Sequence, residues 1–173
     1  LQEEITREVA QRLQLHLSAE QQAIREAYQL YLRGRYYWNR RTAADLKQGV
    51  ESFEQAINRA PNYAPAYAGL ADSYNMLGAY GVLGSSDAFQ KAKESAERAV
   101  KLDDSLAEGH NSLAFVKHRY EWDWAGAEKE FKRAIELDPN YAPARQWYSS
   151  FLMSMERTAE AIEEGRRCQQ LAP

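Results

Sequence analysis

The hexapeptide PNYAPA occupies residues 61–66 and returns unchanged at residues 139–144. Working outward from the second copy, Ala127, Phe131, Ala134 and Pro139 are spaced A-x3-F-x2-A-x4-P. Gly49, Phe53, Ala56 and Pro61 hold the same spacing before the first copy. Ala92, Ala96, Ala99 and Asp104 lie between them, and Ala161, Gly165, Cys168 and Pro173 close the chain. The last members of the four instances are 43, 35 and 34 residues apart, so the hexapeptides mark two of four units, and a period of this length is the signature of a repeat array.

Each of these segments follows a second pattern with helical spacing. Tyr67, Leu70, Ala71 and Tyr74 are matched by His110, Leu113, Ala114 and Lys117, by Leu30, Arg33, Gly34 and Tyr37, and by Arg145, Tyr148, Ser149 and Leu152. Small residues at Gly34, Ala71, Ala114 and Ser149 let the first helix of a unit (A) approach the second (B), while large neighbours fill the space around them. Phe53 and Phe131 are placed to plug the gap between their own unit and the next. Pro61 and Pro139 cannot continue a helix and end each B helix. No segment alternates with period two, so no sheet is expected.

The pattern resembles the tetratricopeptide repeat family over residues 27–173, with units at about 27–61, 62–104, 105–139 and 140–173. The resemblance implies an all-α fold, an α-solenoid of stacked antiparallel helix pairs forming a right-handed superhelix. It is weaker in the fourth unit, where Gly165 replaces the large apolar residue. Residues 1–18 lie outside the repeat. Leu1, Ile5, Val9, Leu13 and Leu17 make a stripe of a separate amphipathic helix, read as a cap or an upstream linker. The chain starts without Met and reads as a fragment of a longer protein. The junction LQEEITREVAQRLQLHL followed by AYQLYLRGRYYWNRRT is similar to one in bacterial signalling proteins, where such an array follows a winged-helix, nucleotide-cyclase or protein-kinase domain.

Composition narrows the function. A formal charge of −3 argues against a general nucleic-acid binder. The run RGRYYWNRR is basic and aromatic, yet Gly34 and Tyr37 are taken up by packing, so an acidic peptide is the better fit. One cysteine leaves no internal disulfide framework, and no run is apolar enough for a membrane span. His110 and His118 lie eight residues apart on one helix and are not spaced for joint metal binding. No nucleophile and base are placed together, so no catalysis, cofactor or metal is expected. The G-x-x-G-x-x-G of Gly78, Gly81 and Gly84 lacks the strand and lysine of a phosphate loop and reads as a lengthened turn. Trp124 is expected to staple the start of its helix onto the core. The compartment stays open, with the cytoplasm favoured.

In such a stack the A helices line the concave side, and their exposed positions form a groove for a protein or peptide. The register nominates Tyr31, Arg35, Trp38 and Asn39 in unit one and Asp72, Asn75 and Met76 in unit two. Unit three adds Asn111, Phe115, His118 and Arg119, and unit four Gln146, Ser150 and Met153. Aromatic and arginine side chains anchor interfaces, and methionine adapts to varied shapes. Packing on neighbouring A helices is the competing reading, above all for Trp38 and Phe115. Some members of the resembled family hold a C-terminal carboxylate at fixed A-helix positions. The equivalent places here carry Tyr31, Arg35, Ala68 and Asp72, of which only Arg35 suits an anion. A second reading of function is homodimerisation through the terminal helices.

Overall fold

The computed structural model describes the backbone of residues 2–171 and the side chains of residues 18–171. The helices are α1 (Gln2–Arg40), α2 (Ala43–Arg59), α3 (Ala64–Ala79), α4 (Ser85–Leu102), α5 (Ala107–Val116), α6 (Trp124–Leu137), α7 (Ala142–Ser154) and α8 (Thr158–Leu171). A π-helical turn, Lys117–Glu121, continues α5. No strand occurs among the described residues. The backbone of α1 is one continuous helix, without the break between a leading helix and unit one that the sequence suggested. The expected stripe of residues 1–17 falls outside the described side chains.

Helices pair in order, α1 with α2, α3 with α4, α5 with α6 and α7 with α8. Each following A helix lies over the groove of the preceding pair: α3 on α1 and α2, α5 on α3 and α4, α7 on α5 and α6. Size complementarity makes this possible. Phe53 of α2 is fully buried, and a Cβ built at Gly34 of α1 or Gly69 of α3 would clash with its ring at Cε1. Phe131 does the corresponding work two joints later, 5.8 Å from the Tyr148 ring and 5.7 Å from Phe151.

The turns obey simple rules. Thr42 caps α2 by accepting from the Asp45 amide at 3.1 Å, and Asp123 caps α6 through the Gly126 amide at 2.9 Å. Pro65 and Pro143 sit in the first turns of α3 and α7, where no helical N–H bond is lost. Each A-to-B turn contains one left-handed residue: Arg41 (φ 57°), Gly81 (φ 67°), Trp122 (φ 60°) and Glu156 (φ 61°). Only unit two spends a glycine there. The expected insertion around Gly78 is mostly helical: residues 80–84 lie outside helices, and Gly78 sits against Ala88 and Phe89.

A recurring clamp ties each joint. Tyr67 Oη donates to the Pro61 carbonyl at 3.1 Å, His110 Nε2 to that of Asp104 at 3.0 Å, and Arg145 Nε to that of Pro139 at 3.0 Å. Three different side chains thus close the same turn at the same register. Trp124 does not staple its helix. It is nearly half exposed and stands edge-on to Trp122, which is 71% exposed.

Candidate functional site

The concave side is built from the A helices, and its centre is filled by the protein's own side chains. Arg35 of α1 reaches Asp72 of α3 at 2.9 Å, and Asp72 in turn accepts from Ser112 of α5. Asn75 Nδ2 donates to the Ser112 carbonyl at 3.1 Å. Tyr141, at the entrance to α7, is half-buried, with its hydroxyl enclosed beside Arg35 and Asp72. Burial lifts Asp72 to about 6 against the opposing pull of Arg35, and burial lifts Tyr31 to about 12. Burial disfavours the Arg35 cation, but Asp72 beside it raises its pKa overall.

A second layer is aromatic. Trp38 of α1 is 1% exposed, with the Arg35 guanidinium 4.4 Å and the Arg41 guanidinium 3.7 Å from its ring. Trp147 of α7 stands 6.4 Å from Trp38 and 4.7 Å from Phe115 of α5. Arg41 also donates to Met76 Sδ at 3.1 Å. The curl of the array brings unit four onto unit one.

The sequence-nominated groove divides accordingly. Trp38, Asp72, Asn75, Met76 and Asn111 are buried and are not an open surface, because the superhelix closes their side of the A helices. Arg35 is committed to Asp72. Tyr31 is half-buried against Phe53 and Tyr63, at the first joint. Phe115 is half-buried under Trp147. His118 bridges to unit four, with Nε2 2.9 Å from Ser154 Oγ and its ring edge-on to Phe151. Burial lowers its pKa. Asn39, Arg119, Gln146 and Ser150 remain exposed. Met153 is exposed too, but it lines a hollow of about 350 Å³ with Ile162 and Gly165 on the last helix pair, away from the concave centre.

Sequence reasoning did not nominate Arg41, Ser112, Tyr141 or Trp147. Tyr141 was legible as the repeat partner of Tyr63. Arg41 acts through a left-handed turn that no helical period encodes. Five buried polar sites have no hydrogen-bond partner among the described residues: Trp38 Nε1, Asn75 Oδ1, both amide atoms of Asn111 and the Tyr141 hydroxyl. Cys168 Sγ is 3.5 Å from the Ala142 carbonyl, and no cluster of three or more His, Cys, Asp or Glu is arranged for a metal among the described residues. No helix there is long and apolar enough to cross a membrane.

Stacked helix pairs with this register define an α-solenoid, and the chain has the tetratricopeptide-repeat fold. It superposes on TTC0263, a thermophilic TPR protein of Thermus thermophilus, with a TM-score of 0.63 at 22% identity, covering 89% of this chain and 92% of that one. The first TPR domain of Spaghetti (RPAP3), solved bound to the HSP90 peptide SRMEEVD, gives 0.58 at 16% identity, covering 77% and 95%. Among curated proteins, the transcriptional regulator HilA of Salmonella typhimurium is 28% identical over 144 residues, 83% of this chain and 26% of that protein. DnaJ homolog subfamily C member 7 of Mus musculus is 30% identical over 152 residues, 87% and 28% respectively. The chain thus spans about a quarter of the length of these relatives. No family model matches it.

Proposed function

We propose that this chain is a protein-interaction module, the regulatory part of a larger bacterial signalling protein, and that it takes a protein or peptide on the concave side of its A helices. The observation that carries the reading is the set of unpartnered buried polar atoms of Trp38, Asn75 and Asn111. Buried amides and hydroxyls in native proteins are almost always satisfied, so an unsatisfied cluster on one face calls for donors and acceptors from elsewhere. A peptide backbone supplies both. The partner engages first the exposed rim of Asn39, Arg119, Gln146 and Ser150, and reaches the polar centre only by parting Trp38 from Trp147. Arg119 and the half-exposed Arg41 make that rim basic, which favours an acidic segment. A neighbour of the same fold holds a peptide, which supports this class of ligand. The similarity to a transcriptional regulator supports the regulatory setting. The module works by binding and carries no catalytic step.

The test compares capture of partners by the wild type, by Arg119→Glu and by Lys129→Glu, a lysine on α6 outside the concave rim. Loss of the same protein with Arg119→Glu alone supports the concave rim. Equal recovery by all three, or equal loss with Lys129→Glu, counts against it. Arg35 is unsuited to this test because its loss strands Asp72.

A second reading, self-association through the terminal helix pairs, is supported by the exposed apolar side chains of α1 and α8.

A further inference from the structure

Four of the exposed large apolar side chains lie on one face of α1: Ile24, Tyr28, Leu32 and Tyr36, spaced four residues apart. Such a row is an i±4 ridge of the kind that packs into the groove between other helices. At the other end, the groove between α7 and α8 is open. Met153 and Ile162, 53% and 50% exposed, flank the hollow at Gly165.

The three internal joints share one packing pattern. In the first joint, Gly69 of α3 faces Phe53 of α2, Ser73 faces Gly49, and Tyr74 Oη lies 3.4 Å from Glu54. By repeat register, α1 carries Leu32, Tyr36 and Tyr37 in place of Gly69, Ser73 and Tyr74. The last pair carries Gly165, Ala161 and Arg166 in place of Phe53, Gly49 and Glu54. Size is exchanged between the two faces: bulky Leu32 stands at the position of Gly69, and the Gly165 hollow at the position of Phe53. Tyr36 over Ala161 repeats the register pairing of Phe151 with Ala127 in the third joint. Polarity is exchanged as well: Tyr37 and Arg166, an acceptor and a donor, stand at the register positions of Tyr74, which donates, and Glu54, which accepts.

We propose that a second copy of this chain lays its α1 ridge into the α7–α8 groove, forming a fourth, intermolecular joint equivalent to the internal three. This rests on the self-association reading and supplies its geometry. The contact is heterologous, so each docked copy presents a fresh groove and ridge, and the assembly grows without closing at a dimer.

Sedimentation equilibrium over a concentration series tests it, with Leu32→Glu blocking the ridge and Ile162→Glu blocking the groove. Both sites are exposed, and unchanged helical circular dichroism and thermal unfolding confirm the fold of each variant. The wild-type average mass is expected to climb from 19.8 kDa through and beyond twice that value. Each variant alone is expected to remain monomeric, and their equimolar mixture to reach twice the monomer mass and stop there. A wild type that stays monomeric overturns self-association altogether. A wild type that associates while the mixture stays monomeric leaves self-association standing and overturns the head-to-tail joint. So does an Ile162→Glu variant that still associates by itself.

Discussion

Trp38 and Trp147 meet ring to ring, 6.4 Å apart, although one belongs to the first A helix and the other to the last. The contact closes the concave side and holds unit four against unit one. Truncating Trp147 to Ala is expected to cost about 3–5 kcal/mol and to bare Trp38. Acrylamide quenching checks this: Trp38 and Trp147 are both buried in the wild type, so any protected component left in the variant can come only from Trp38, and none is expected while exposed Trp122 quenches as before.

The Phe53 plug makes a steric prediction. Gly69→Ala drives a methyl into the ring and is expected to destabilise by about 1–3 kcal/mol, while Phe53→Ala costs about 3–5 kcal/mol. Combined with Phe53→Leu, Gly69→Ala is expected to cost less than the sum of the two single changes. Urea denaturation of the wild type, the two single variants and the double variant measures the coupling.

His110 predicts a pH dependence. Its Nε2 faces the Asp104 carbonyl and its Nδ1 lies 2.7 Å from Glu130 Oε2, both acceptors, so both bonds form together only on the imidazolium. The hydrogen bond to Glu130 raises the histidine pKa despite burial. A raised histidine pKa gives stability that is fully present below the unfolded-state value of about 6.5 and is lost as pH rises through the folded value. Denaturation midpoints measured from pH 6 upward are expected to fall over that window, and His110→Gln is expected to flatten the decline.

Glu156 holds a left-handed conformation that strains any L residue with a side chain. Glu156→Gly is expected to raise stability by about 1 kcal/mol, or about 2–4 °C in Tm. A thermal melt that is unchanged or lower contradicts the strain.

The helix pairs and their order were legible in the chain alone, because spacing of small and bulky residues at 3.6 per turn dictates which faces bury, and prolines mark where helices stop. The role of Phe53 followed from that spacing. Register also located the A-helix faces, yet it could not say whether those faces stay open. Whether Asp72 faces a partner or Arg35, and whether Trp38 lies in a groove or under Trp147, depends on how tightly the superhelix curls. That curl sums small rotations at every joint, and residues at opposite ends of the array meet only when the sum is complete. A local pattern therefore determined the units, whereas the long-range closure of the stack decided which of their side chains remain free to bind.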